Sequence, residues 1–479
     1  MNSKQSRCVA FVSLFMLFLN GGFALTDSGR ASLTQSLRGV DLEQRRERLR
    51  NLRLDDVVIS PASTSTNTDE DPSVEGNLVS SPGGGPILEQ NRVEGVIDYL
   101  YEGDINLTEE QLAALESKLN NGTTRQKRQA SKVAALWANK KVFYYFDASI
   151  GEPLEALVKK TLAYLTARTC LTFVENATAT NRIRVFNGSG CYASIGMIGG
   201  EQDLSLGDGC GIMGTVAREF MHALGIHHMQ SRYDRDTYIT VDLTNVPPEY
   251  QNNFNKLTAE ESINYTPYEY GSVMHYDALA FSTNGESMRP RQTGWYLRTL
   301  GSKIISFYDI YIINTHYKCN AICATKGAKC VNGGKRNPKN CNVCICPAGY
   351  GGALCSLRPA GCGAVLTAAP DWKTRKVVLG NATNPDLRDT YAMCNDWIKA
   401  PAGKKIRLQM TVKKGVQCIN GCWKHGIEFK IFANKLITHG RICCDEHLKK
   451  VVTSELNPAP VITYNLYQQS EITYLYRYF

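Results

Sequence analysis

The stretch GTVAREFMHALGIHHMQSRYDRD (214–236) concentrates the side chains of this sequence that can do chemistry. Read as a helix, positions 218 and 222 stand four apart and share one face. Two histidines at that spacing reach a single zinc ion, and a glutamate directly after the first can activate a zinc-bound water. Gly225 lets the chain turn sharply, and His228 can return to the same point as a third ligand. Three protein ligands leave one position open for water, as hydrolysis requires. Glu219, His222, Gly225 and His228 all stand where this pattern needs them, but position 218 is arginine. A guanidinium stays protonated, has no lone pair to offer a metal, and sets a positive charge where a dication belongs. His227 lies beyond the turn, so it cannot replace a ligand one helical turn before His222.

A ligand helix needs a scaffold. VFYYF (142–146), LTFVE (171–175) and RIRVF (182–186) read as strands. EPLEALVKKTLAYLTARTC sets Leu154, Leu157, Thr161 and Leu165 on one helical face, and the ligand helix is expected over about 211–224. Further upstream, TEEQLAALESKLNNG predicts a helix opened by a capping box of Thr108 and Gln111 and stopped at Asn121-Gly122. Residues 25–87 read as polar and irregular, and 61–86 have too little apolar surface to pack.

The chain has 479 residues, a prior of about three domains. Apolar residues make up 43% and charged residues 21%, which excludes a disordered chain. A net charge of +9 without a long basic run gives no sign of a nucleic-acid partner. Lys4 and Arg7, the apolar run from Cys8 to Leu19, and the small residues Gly21, Gly22 and Ala24 read as a secretory signal over 1–24. That run is too short for a membrane span, and no other stretch approaches spanning length. Of 17 cysteines, Cys8 leaves with the signal and 16 remain between Cys170 and Cys444, an even number suited to disulfides in an oxidising compartment. Asn106, Asn121, Asn176, Asn187, Asn264 and Asn381 stand in glycosylation sequons. Arg125-Gln126-Lys127-Arg128 separates a cysteine-free segment from a cysteine-rich one. We read it as a proprotein-convertase site with cleavage after Arg128, which makes 25–128 a pro-segment.

With these motifs in place, residues 129–319 resemble the astacin family of secreted zinc metalloendopeptidases, a metzincin group. SLGDGC (205–210), the helix with its SRYDRD continuation, SVMHY (272–276) and SFYD (306–309) carry the likeness. The resemblance implies one Zn2+ held by His222 and His228, Glu219 as general base, Met274 in a turn beneath the metal, and Tyr276 as a switchable ligand that helps stabilise the oxyanion. It implies disulfides Cys170–Cys319 and Cys191–Cys210. YEGDI (101–105) is similar to the family's latency motif, so Asp104 is implied to bind the metal in the zymogen. Arg218 departs from the family's first ligand; pairing with Glu219 or with Asp104 would leave a metal-free pocket. Met229 departs too, standing where the family has a glutamate that anchors the mature N-terminus.

Residues 320–356 resemble an epidermal-growth-factor-like module, with implied bridges Cys323–Cys341, Cys330–Cys344 and Cys346–Cys355. Residues 362–479, rich in short β runs such as KIRLQMTV and PVITYNLY, resemble a CUB domain. Its implied bridge is Cys362–Cys394, with Cys418 and Cys422 each joined to Cys443 or Cys444 in an undecided pairing. The expected fold is therefore α+β: a peptidase-like domain with a mixed sheet and long helices either side of a cleft, a small disulfide module, and a β-sandwich. Two functions follow. One is a secreted endopeptidase acting on extracellular proteins, with activity impaired or lost through Arg218. The other is a non-catalytic binding protein that uses the cleft and the sandwich.

Overall fold

A computed structural model of the chain describes residues 24–52, 87–121, 135–259, 264–384 and 386–479. The signal-like segment up to residue 23, the stretch 61–86 and the Arg125–Arg128 cluster lie outside these residues.

The segment before residue 122 is more ordered than its polarity suggested. It contains α1 (Asp27–Ser36), α2 (Leu42–Arg50), α3 (Ile87–Val93) and α4 (Glu109–Asn121). This corrects the irregular reading of 25–87 for its described parts. Thr26 and Asp41 cap the first two helices through their side chains. Leu33, Leu37, Leu42 and Leu49 are buried against other elements, so tertiary contact supplies what local composition does not. Arg45 ties the segment together from inside: its guanidinium donates to Tyr99 O, Leu107 O and the Glu109 carboxylate at 3.0, 2.9 and 2.6 Å. The capping box at α4 is present, with Thr108 N bonded to Gln111 Oε1 and Gln111 N to Thr108 Oγ1.

The next unit is built on a five-stranded sheet of β1 (Lys141–Phe146), β2 (Thr172–Glu175), β3 (Arg182–Phe186), β4 (Cys191–Ala193) and β5 (Glu201–Leu206). The order is β2-β1-β3-β5-β4; all neighbours are parallel except β4, an antiparallel edge strand. Two helices pack on the sheet: α5 (Glu152–Arg168), burying Leu157, Thr161 and Leu165, and α6 (Met213–Ala223), buried along its whole length after Met213. Phe220 of α6 meets Tyr144 and Phe173 edge-on at ring separations of 6.4 and 5.8 Å. Gly214 is required in the first turn of α6, because a Cβ there would lie 2.0 Å from Lys303 O. A short ribbon, β6 (Ile239–Val241) with β7 (Met288–Pro290), and α7 (Phe307–His316) complete the unit.

A disulfide-dense hairpin follows, β8 (Lys335–Asn337) with β9 (Asn340–Ile345). The chain then forms a β-sandwich. One sheet runs β10 (Val365–Thr367), β12 (Leu387–Lys399), β17 (Ala459–Tyr467), β14 (His425–Phe429), β15 (Arg441–Ile442). The other runs β11 (Lys373–Gly380), β18 (Gln469–Tyr478), β13 (Ile406–Lys414), β16 (Val451–Ser454). Inward-facing Leu408, Met410, Ile427, Val461, Ile472 and Tyr474 fill the space between.

Disulfide bonds join Cys170–Cys319, Cys191–Cys210, Cys323–Cys341, Cys330–Cys344, Cys346–Cys355 and Cys362–Cys394. The pairing left undecided by sequence is Cys418–Cys444 and Cys422–Cys443. No helix of the described residues is long and apolar enough to cross a membrane.

Candidate metal centre and the loop that plugs it

Helix α6 ends where the chemistry begins. Gly225 adopts φ +91°, a left-handed conformation, and this turn brings His228 back against His222. The two Nε2 atoms stand 3.1 Å apart. His222 Nδ1 faces Ile226 O at 3.0 Å and His228 Nδ1 faces Glu102 Oε2 at 2.5 Å. A carbonyl and a carboxylate can only accept, so each Nδ1 carries a proton, and in its neutral form each ring aims the Nε2 lone pair at the same point. Met274 is wholly buried, and its carbonyl accepts Met229 N at 2.9 Å.

Residues 101–106 fill the cleft. Tyr101 and Ile105 bond to each other through both backbone N–H groups, closing a tight loop around Glu102-Gly103-Asp104. Ile105 then bridges Ala193 of β4 in parallel; Ala193 N donates to Asp104 O and Asn106 N donates to Ala193 O. Asp104 is fully buried. Its Oδ1 lies 2.9 Å from His228 Nε2 and 3.7 Å from His222 Nε2. Its Oδ2 receives both Nε and an NH2 group of Arg218, each at 2.8 Å. Of the two pairings open to Arg218, the structure forms the one with Asp104. Neither carboxylate oxygen of Glu219 has a hydrogen-bond partner among the described residues. Arg218 is itself 3% exposed, donates to Val273 O at 2.8 Å, and lies 5.7 Å over the Tyr276 ring. The Tyr276 hydroxyl donates to Glu102 O.

Charge is balanced inside this buried pocket. Burial pushes the Asp104 carboxyl up, but Arg218, His228 and His222 together hold it well below the usual carboxylate range. Burial and the Asp104 charge drive Glu219 well above its ordinary value, against Arg218. Burial lowers His222 to about 4. His228 moves up instead: Asp104 and Glu102 favour its charged form more than burial and Arg218 oppose it.

The Val273 carbonyl that aims Arg218 belongs to a turn clamped by Asp309. Asp309 Oδ1 accepts the Ser272 hydroxyl at 2.5 Å, and Oδ2 accepts Val273 N at 3.2 Å. The SFYD run supplies this clamp through its capping box on α7.

Asp104, His222 and His228 present three donor atoms within 4.8 Å of one another. That set does not fit a catalytic zinc. The third donor, Asp104, comes from a segment more than 100 residues before the two histidines, and its second oxygen is already committed to a guanidinium. The cleft's own residues offer two histidines where three protein ligands are needed, with a fixed cation at the third corner.

Several residues of the site escaped the sequence reading. Glu102, inside the YEGDI motif, holds His228, and its only local signal is acidity two places before Asp104. Asn91 is wholly buried and fastens the plug to β4, and nothing local marks it. The six sequon asparagines differ in exposure. Asn106 is buried and accepts from Arg45, and Asn264 has its Nδ2, the atom a glycan would join, covered. Asn187 and Asn381 are exposed and Asn176 half-buried. The Asn121 side chain and Arg128 lie outside the described residues. Met229 is buried, its sulfur 3.8 Å from an Arg232 nitrogen.

Residues 129–318 match the family model described as Astacin, a peptidase family. Zinc metalloproteinase nas-32 of Caenorhabditis elegans is 43% identical over 407 residues, 84% of this chain and 62% of that protein. Zinc metalloproteinase nas-17 of the same organism is 40% identical over 80% of this chain and 87% of its own length. This chain thus spans less than two thirds of nas-32. Among solved structures, high choriolytic enzyme 1, a hatching enzyme zinc-protease from Oryzias latipes, is 31% identical, covering 38% of this chain and 92% of its own, with a TM-score of 0.36. Identity over nearly the whole of nas-17, together with the matched peptidase segment and the His222–His228 geometry, places the chain in the astacin family.

Proposed function

We propose that this chain is a secreted member of the family, made as a latent precursor, whose cleft does not cut peptide bonds as the sequence stands. It acts by holding extracellular protein partners through the cleft and the C-terminal sandwich. The observation that carries this reading is Arg218: it occupies the first ligand position of α6, is buried, and directs its hydrogen bonds to Asp104 and Val273. The signal-like start and the 16 paired cysteines support secretion. The Arg125–Arg128 cluster supports processing by a proprotein convertase.

The deciding experiment is zinc content and endopeptidase activity of the processed chain, with and without chelator. The expected result is far less than one zinc per chain and no chelator-sensitive cleavage, while Arg218→His gains both. A second reading, an active zinc endopeptidase, is favoured by the placement of Glu219, His222, His228 and Tyr276. One tightly held zinc per chain and chelator-sensitive proteolysis in the unaltered protein would establish it.

A further inference from the structure

We propose that the cleft is a metal-independent receptor for a peptide carboxylate, in which Arg218 receives the aspartate of a tight Glu-Gly-Asp turn laid against the free edge of β4. The inference rests on the non-catalytic reading above and names the ligand class of that same site.

The pro-segment shows how such a ligand is held. Its recognition has a main-chain part and a side-chain part, as when a peptide adds to a sheet edge. β4 ends the sheet order, so its outer edge is open until Asp104–Asn106 bonds to Ala193. The loop is closed on itself by the paired Tyr101 and Ile105 backbones, with Gly103 at φ +74°, so the acidic groups on either side of it are presented already turned. The Asp104 carboxylate then divides its two oxygens, Oδ2 to the guanidinium and Oδ1 to His228. Glu102 takes the far nitrogen of the same histidine, and its carbonyl accepts the Tyr276 hydroxyl.

Each of these contacts is made to a group that stays with the cleft, and none needs a metal. Arg218 is pre-aimed: Val273 O fixes one end of its guanidinium and the Tyr276 ring lies beneath it. A buried, oriented guanidinium is a strong carboxylate receptor because the charge-assisted bonds form without reordering the side chain. Removing the pro-segment removes two carboxylates, Glu102 and Asp104, and leaves Arg218 facing the opened cleft. A protein loop that restores an aspartate there satisfies the same donors. A neutral or basic loop leaves the guanidinium unpaired.

The test uses the full chain cut after Arg128 and kept in chelator throughout, with zinc measured on the same sample. The pro-segment is expected to co-elute with the remainder on gel filtration. Asp104→Asn should weaken that association about 10- to 100-fold, the scale of a lost charge-assisted hydrogen-bond pair. A cyclic peptide of residues 101–105 should compete for the cleft of the cut Asp104→Asn protein, and its Asp→Asn counterpart should not. Because Asp104→Asn leaves Arg218 unpaired and could disturb folding, Arg218→His provides the second variant: its pro-segment should become releasable by chelator, whereas that of the unaltered chain is not. Release of the unaltered pro-segment by chelator, or equal competition by the two cyclic peptides, overturns the proposal. A metal-free, inactive protein whose association ignores Asp104→Asn overturns this inference alone; a zinc-loaded, proteolytic one overturns the reading beneath it.

Discussion

Asn91 and Cys191 are joined across 100 residues of sequence by two hydrogen bonds: Asn91 Oδ1 accepts Cys191 N at 2.7 Å and its Nδ2 donates to Cys191 O at 2.8 Å. The same Nδ2 also reaches Gly103 O at 2.8 Å. One amide therefore completes the backbone bonding of an edge strand and pins the acidic loop that plugs the cleft. It behaves like an extra strand residue supplied from α3.

Replacing Asn91 by Ala strands the buried N–H of Cys191 and two carbonyls. A buried polar group left unsatisfied costs about 1–3 kcal/mol. Asn91→Ala is expected to destabilise the uncut chain by roughly that amount or slightly more, read as a lowered denaturant midpoint with an unchanged slope. Hydrogen exchange at Cys191 and Ala193 should rise in the same variant. Unaltered exchange there would show that the amide is not what holds the plug.

The Arg218–Asp104 pair predicts an asymmetry between breaking and replacing. Removing one partner of a buried ion pair is strongly destabilising, about 3–5 kcal/mol, whereas exchanging both for apolar residues is often near neutral. Asp104→Leu alone should therefore lower the stability of the uncut chain by several kcal/mol, and adding Arg218→Met should recover most of that loss. A double variant no more stable than Asp104→Leu alone would mean that the pair is not coupled in solution.

Glu269 links pH to the seam between the peptidase-like unit and the sandwich. Its carboxylate accepts Gly271 N at 2.9 Å and Thr438 N at 3.1 and 3.2 Å, yet burial pushes it up to about 7. The unfolded chain ionises in the ordinary carboxylate range, the folded chain only near 7. Stability associated with this group is thus complete in acid and is lost as pH rises from that ordinary range to about 7. The shift corresponds to roughly 3 kcal/mol across this window. Glu269→Gln should flatten that part of the stability profile, measured by denaturant unfolding at a series of pH values. An unchanged slope would place the titration elsewhere.

How much of this was visible in the sequence depends on distance along the chain. The α6 helix, its turn at Gly225 and the Thr108–Gln111 cap are local patterns, and each could be read from a few neighbouring residues. α1 and α2 could not: α2 reads LEQRRERLR, so charged residues outnumber its two leucines, and those leucines gain their value only against other elements. Asn91 and Glu102 act on partners 100 and 126 residues away, which no spacing rule reaches. The choice between Glu219 and Asp104 as the partner of Arg218 likewise required the fold, because adjacent helix positions point apart while Asp104 is brought in from 114 residues away. Cys443 and Cys444 are sequence neighbours whose sulfurs stand 3.7 Å apart, so no local spacing decides which of them meets Cys418.

The sandwich is fastened to the peptidase-like unit by a second buried ion pair. Arg298 Nε lies 2.8 Å from Glu446 Oε1, both side chains nearly inaccessible, and an Arg298 NH1 group donates to Asn420 Oδ1 at 2.9 Å. Nearby, Arg441 N donates to Thr299 Oγ1, and the Trp295 and His447 rings lie 4.2 Å apart. A seam with this many satisfied polar groups should make the two units unfold together, since opening it exposes several charges and bonds at once. Glu446→Ala leaves the Arg298 guanidinium buried without its carboxylate, at a cost of about 3–5 kcal/mol to the seam. Calorimetry is expected to show one transition for the unaltered chain and two for Glu446→Ala, as the units come apart before either has fully unfolded. A single, merely shifted transition in the variant would show that the disulfide module and the remaining contacts couple the units without this pair.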